Sequence, residues 1–242
     1  MGLDLTGNIL NSSGIGPDGQ VIKQMITSGL VTYLDIANKS SYGGSGTAIT
    51  DLSGRSNATT FGSPTYSSSN YGGSISCNTS QTIAVNDVTA TNYFTTWAWI
   101  RWDSNGSAGE SILFNKENTW EMRIDNGAMN WAIYANNQAW FWQDSGGRVT
   151  QGVPTFVAYS YGGNSVKTYK DGILINTYSY PAGGVLANQT AAWPKFNSRD
   201  TNFGVGSYPG NNTLYTWAIY SRALLDDEIS QIYSITKGRF GL

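Results

Sequence analysis

Two carboxylates four residues apart, Glu121 and Asp125 in the segment EMRID, are the nearest this chain comes to an acid-base pair. Retaining glycoside hydrolysis needs a nucleophile and an acid about 5 to 5.5 Å apart. A spacing of four puts both on one face of a strand, but Arg123 falls between them on that face, and no catalysis is expected from the pair. The sequence holds no histidine. Ser/His/Asp and Cys/His nucleophilic schemes and histidine metal sites are therefore excluded. Cys77, the single cysteine, suits a small core residue better than a nucleophile. Calcium wants about six to eight oxygens. Asp35, Asp51, Asp87, Asp103 and Asp200 are available, but none sits in a dense Asp-x-Asn-x-Asp cluster. A turn aspartate bonding its own backbone is the simpler reading, above all for Asp51 in DLSG and Asp171 in KDG. No cofactor is expected, with calcium the one ion left open.

Aromatic residues carry the stronger signal. Most of the nine tryptophans are expected to fill a core, Trp99 and Trp217 among them. Trp140, Phe141 and Trp142 in QAWFWQD differ, because three consecutive aromatics project alternately to both faces of a strand. A flat indole suits the apolar face of a pyranose, with Asn136, Asn137, Gln138 and Gln143 nearby for hydroxyls. Protein contact uses the same enrichment, so core packing, glycan contact and protein contact all remain open. The candidate contact residues are Trp140, Trp142, Asn137 and Gln143, joined by Trp97 and Trp193.

The elements that must position these residues read as all-β. A chain of 242 residues accommodates one sandwich, and charged residues make up only 12%, as suits short strands joined by many Gly, Ser, Thr and Asn turns. Strands are expected at Leu30–Ile36, Ser74–Ile83, Tyr93–Trp102, Ser111–Lys116, Trp120–Ile124, Met129–Tyr134, Ala139–Gln143, Thr155–Tyr161, Ser165–Lys170 and Ile173–Tyr178. Along Tyr93–Trp102, the Phe94, Thr96, Ala98 and Ile100 side is assigned to the core. Asn126-Gly127 and Asp171-Gly172 predict tight hairpins. Pro181–Asp200 reads as a long connection. Asn202–Tyr233 reads as strand, turn, strand and a short helix, with Leu225, Ile229, Ile232 and Tyr233 at helical spacing and Asp226, Asp227 and Glu228 in the first turn. Residues 1 to 28 show no sustained period and are expected to form an extended N-terminal arm, with the sandwich over 29 to 242.

A formal net charge of −2 gives no basic field for nucleic acid. No stretch approaches eighteen apolar residues, and MGLDLTGNIL lacks the basic and apolar regions of a usual secretion signal, so neither membrane insertion nor conventional export is expected. A lone cysteine alongside a surface rich in Asn, Ser, Thr and Trp fits a protein made in a reducing cytosol and later exposed outside on a particle.

FTTWAWIR at 94–101, ILFNK at 112–116, PTFVAYSYGGNSVKTYKDGILINT at 154–177 and AIYSRALLDDEISQIY at 218–233 together resemble the laminin-G-like (LamG) branch of the concanavalin-like lectin/glucanase sandwiches. The upstream YLDIANKSSYGGSGTAITDLSGRSNATT resembles the opening of such domains in bacteriophage virion proteins. Coverage runs from about Leu30 to Gly238. The resemblance implies an all-β jelly roll of two antiparallel sheets, one concave, with one short C-terminal helix. It also implies a non-enzymatic virion structural protein, a surface-exposed capsid decoration or head-knob protein anchored by its arm, with weak glycan binding. The alternative is a tail-fibre or baseplate adhesin, or a carbohydrate-binding module, recognising host-surface glycans. Other virion proteins, host glycans and further copies of the chain are the implied partners, and the virion surface the implied location. Some relatives hold calcium at the sandwich rim. The chain departs from the pattern in lacking the glucanase Glu-x-Asp-x-Glu run, in Leu225 where a Ser or Thr usually caps the last helix, and in Tyr215 or Thr216 where glycine usually precedes the final strand. Asp226 is expected to cap one residue later, and Trp97 occupies a commonly polar position.

Overall fold

The computed structural model describes residues 24–86, 93–134, 140–179, 186 and 192–242. Strands β1 (Leu30–Asp35), β2 (Ala48–Ile49), β3 (Ala58–Phe61), β4 (Thr65–Ser67), β5 (Ser74–Cys77) and β6 (Thr82–Val85) come first. The middle of the chain supplies β7 (Phe94–Ser104), β8 (Ser111–Lys116), β9 (Trp120–Asp125), β10 (Ala128–Ile133) and β11 (Phe141–Arg148). Then follow β12 (Thr155–Tyr161), β13 (Ser165–Lys170), β14 (Ile173–Ser179), β15 (Lys195–Phe196) and β16 (Asn211–Tyr220). Helix α1 (Asp226–Thr236) and a 3₁₀ turn over Lys237–Phe240 close the chain.

Two antiparallel sheets form a jelly-roll sandwich. The first runs β14-β13-β12-β7-β16-β5-β4, with β1 pairing on β16; the second runs β11-β10-β9-β8-β15-β6-β3-β2. On β16, β1 takes residues 216–220 and β5 takes 212–214, so the two share one edge end to end while β7 holds the other. Both predicted hairpins are present. Asn126-Gly127 joins β9 to β10 and Asp171-Gly172 joins β13 to β14, and all four residues have positive φ, as a type I′ turn requires.

Between the sheets, Phe94 stacks on Trp120, Phe114 on Trp217 and Tyr159 on Trp131. Phe94, Ala98 and Ile100 enter this core as their spacing predicts. A second apolar layer lies on the other face of the first sheet, where Trp97, Trp99, Phe156, Tyr215 and Tyr220 meet Leu224, Ile229, Ile232 and Phe240. Strand β7 is thus buried on both sides. The helix starts at Leu225, whose N–H is accepted by Glu228 at 2.9 Å, while Glu228 also forks Arg222. Asp226 does not cap. It accepts from Lys167 Nζ and Tyr169 Oη and ties the helix to β13; the Lys167 bond holds its carboxyl below the usual range.

Three expectations about elements change. Ser74–Ile83 is two strands in different sheets, because the turn over 78–81 carries the chain from β5 across to β6. Asn202–Val205 forms no strand; it belongs to a loop held by its own side chains. Lys195–Phe196, within the predicted long connection, inserts as β15 between β8 and β6. Most of the predicted N-terminal arm lies outside the described residues. Its last part is placed: Met25 and Ile26 pack on the helix-side layer, Tyr220 Oη donates to Ile26 O, and Gln231 Nε2 donates to Gln24 O.

Candidate glycan-binding face

Alternation along β9 decides what the second sheet shows to solvent. Met122 and Ile124 belong to the core, so Glu121, Arg123 and Asp125 point to the outer face. On β10, Met129, Trp131 and Ile133 are inside and Asn130 and Ala132 outside. Trp142 pairs with Ala132 and Asp144 with Asn130, which places both on the outer face too. Trp140 follows the same parity and touches Trp142 at 5.8 Å and Tyr134 at 5.6 Å between ring centroids.

Arg123 and Arg199 organise these rings. The Arg123 guanidinium lies 4.1 Å from the Trp142 ring centroid. Arg199 lies 5.5 Å from the same ring and 4.4 Å from that of Tyr208. Such stacking contributes about 0.5–2 kcal/mol per contact, more where water is excluded. Each guanidinium is anchored by acid. Arg199 donates to both oxygens of Glu121 at 2.9 and 2.6 Å, and Asn115 Nδ2 adds a bond of 2.8 Å. Arg123 pairs with Glu110 and, at 3.2 Å, with Asp125. Glu121 is wholly buried, and burial pushes its carboxyl up to about 7, with Arg199 and Asn115 pulling the other way.

The loop after β15 supplies Arg199 and Tyr208. Asp200 accepts from the N–H and hydroxyl of Ser207 at 2.9 and 2.8 Å, and Arg199 N–H donates to Ser207 O. A Cβ on Gly206 would stand 1.6 Å from Arg199 O, so only glycine permits this closure. Lys195 is buried beneath, bonded to Asn202 Oδ1 at 2.6 Å and Arg199 O at 3.3 Å, and burial pulls its amine down to about 8. Further across the face, Trp193 meets Phe203 at 4.9 Å, and Phe203 meets Phe61 of β3 at 5.1 Å.

Of the sequence candidates, Trp140 and Trp142 come together, and Trp193 belongs to the second aromatic group. Trp97 is fully buried against Phe156 and Tyr33 under the helix side of the first sheet, so it cannot meet a ligand on this face. Gln143 pairs with Trp131 and shares its side, turned away from Trp142. Asn137 lies outside the described residues. Arg123, Arg199, Tyr134, Tyr208 and Phe203 were not singled out as contacts by the sequence; Arg199 reaches Glu121 across 78 residues, and no local pattern signals that. Among the described residues no three acidic or thiol groups converge as a metal site would require. Asp51 is the turn residue its setting suggests, accepting from the N–H groups of Tyr33, Ser53, Arg55 and Ser56. A separate cavity of about 440 Å³ lies by the helix end, lined by Tyr33, Asp35, Trp99, Thr216 and Arg239.

The sandwich, its closing helix and its strand-to-helix segment define a lectin-type β domain. The sequence profile of the Concanavalin A-like lectin/glucanases superfamily, laminin-G type, matches residues 72–230, and the chain belongs to that family. Among solved structures it is similar to the binding domain of Paraclostridial Mosquitocidal Protein 1, with a TM-score of 0.63 and 16% identity over 85% of this chain and 52% of that one. It is also similar to the receptor-binding domain of botulinum neurotoxin C/D mosaic serotype, with a TM-score of 0.65 and 15% identity over 87% of this chain and 52% of that one. The chain thus spans about half the length of these toxin domains. Domain 4 of AbnA, a GH43 extracellular arabinanase from Geobacillus stearothermophilus solved with arabinotriose, gives a TM-score of 0.65 and 15% identity, covering 84% of this chain and 98% of that one. No curated protein sequence matches.

Proposed function

We propose that this chain is a non-enzymatic glycan-binding domain whose binding face is the outer side of the second sheet. The observation that carries this is the Trp140–Trp142 pair held open on a guanidinium lattice, with Trp142 fixed by Arg123 and Arg199. A rigid, half-exposed indole pair loses little freedom on meeting a sugar ring. The arabinotriose-bound domain of AbnA and the receptor-binding domains of the toxins, alike in fold, support the reading. Glu121 and Asp125 serve as counter-ions in it: both are engaged by arginine, and Glu121 has no exposure to a substrate. Trp140→Ala is expected to weaken binding to the best ligand of a broad glycan array about 10-fold or more, ~1.4 kcal/mol, measured by titration calorimetry. An array without any bound glycan overturns the reading.

The setting we propose for this domain is the surface of a virion, where copies of it decorate a capsid or head knob and bind glycans weakly, with avidity from multiplicity. The phage-like opening segment 33–60 and the aperiodic residues 1 to 28 support it; neighbouring virion proteins would hold the arm. Removing residues 1 to 23, short of the segment that packs on the helix side, is expected to abolish incorporation into particles while leaving a folded domain. Normal incorporation, read by immunoblot of purified particles, would refute the anchoring role.

A further inference from the structure

We infer that the ligand is an uncharged glycan chain, several rings long, lying across the strands from Trp140 and Trp142 to Trp193 and Phe203; this rests on the reading of that face as the glycan site. Charge is the first argument. The cations that could meet an acidic sugar are already engaged: Arg123 by Glu110 and Asp125, Arg199 by Glu121, and Arg148 by Asp144. Lys195 is buried and spends its amine on Asn202 and Arg199 O. Glu117 and Asp200 add two more carboxylates beside the loop, joined through Asp200 N–H. A uronate or sialate would therefore bring negative charge to a face whose described guanidinium groups already stand against carboxylates, where like charges repel. Hydroxyls fit better. Asp125 Oδ1 and Arg123 Nε, an acceptor and a donor on this face, have no hydrogen-bond partner among the described residues, and a sugar hydroxyl both donates and accepts without a charge to desolvate.

Length is the second argument. Trp142 sits on β11, the first strand of the sheet, and Trp193 stands two residues before β15, the fifth. Four strand spacings make roughly 19 Å, and Phe61 on β3, which continues the Trp193–Phe203 group, lies two strands further. A single ring cannot touch both aromatic groups, whereas a chain of several rings does. The ion-paired strip between them, from Arg123 to Lys195, forms the floor.

The test titrates the full chain with neutral arabino-, xylo-, manno- and gluco-oligosaccharides of about two to eight units, and with polygalacturonate. For the series that binds, affinity is expected to rise at least about 10-fold from the shortest to the longest member. Phe203→Ala, a change at an exposed ring, should flatten that rise by bringing the affinity of the longest member down toward that of the shortest. Polygalacturonate should not bind at the same concentrations. Affinity that does not depend on length, or salt-sensitive binding of polygalacturonate, would overturn the inference while leaving a glycan site in place. Failure of every sugar to bind removes the site itself, and the inference with it.

Discussion

Glu121→Gln is expected to cost about 1–3 kcal/mol of folding stability at pH 5, because the amide cannot accept from both nitrogens of Arg199, and less at pH 7, where the native carboxyl's own contribution is largely lost. Arg199 would keep its charge, 19% exposed, over a neutral amide. The loss should spread beyond the pair, since Arg199 also positions Tyr208 and Trp142, and weaker glycan binding should accompany it. The pH dependence separates this role from plain packing. Burial raises the Glu121 carboxyl from 4.5 to about 7 in the folded chain. Between those values the folded state binds more protons than the unfolded, so this group's contribution is fully present below pH 4.5 and is lost as pH rises through 7. Asp144, Asp226 and Glu228 act in the opposite direction. Their carboxyls are held down by Arg148, Lys167 and Arg222 respectively, and that stabilisation disappears as pH falls through their lowered values. Urea denaturation at pH 5 and pH 7 should show the native chain losing stability toward neutrality and Glu121→Gln losing less. Equal slopes in the two proteins would show that Glu121 remains ionised throughout.

Trp99→Ala is expected to cost about 3–5 kcal/mol, the range for emptying a large aromatic from a core. Its indole stacks on Phe240 at 4.0 Å and on Tyr233 at 5.8 Å, meets Phe156 edge-on, and donates from Nε1 to Thr236 Oγ1 at 2.8 Å. Four elements therefore depend on one side chain: β7, β12, α1 and the terminal 3₁₀ turn. The helix should loosen first, because its fully buried residues are only Ile229, Ile232 and Thr236 and Tyr233 would lose its stacking partner. Hydrogen exchange of 226–240 should rise well above that of β9 and β10. Trp140→Ala makes the useful contrast, since that ring is half-buried on the outer face and its loss should move binding far more than melting temperature.

Local sequence made the hairpins and most strands legible, because Asn-Gly and Asp-Gly impose φ values that few other pairs accept and alternation has a period of two. It misled at Ser74–Ile83, where the polar run over 78–81 is a turn and not part of a strand, and at Trp97, where one buried face was expected and two exist. The second face follows from α1 folding back over the first sheet, a contact between residues more than a hundred positions apart. Gln143 failed for a subtler reason. It is adjacent to Trp142 in sequence, and in a strand adjacency means opposite faces.

By itself, the sequence determined an all-β sandwich closed by one helix and singled out Trp140 and Trp142, because turn chemistry, alternation and helix spacing are local and survive without knowing any partner. Tertiary structure alone decided which tryptophans face outward and what holds them. Arg199 and Glu121, 78 residues apart, meet only once β15 is inserted between β6 and β8, and a bidentate ion pair depends on that register to within tenths of an ångström. The candidate glycan face is therefore a property of strand order, and apart from Trp140 and Trp142 the residues that build it carry no local mark in the sequence.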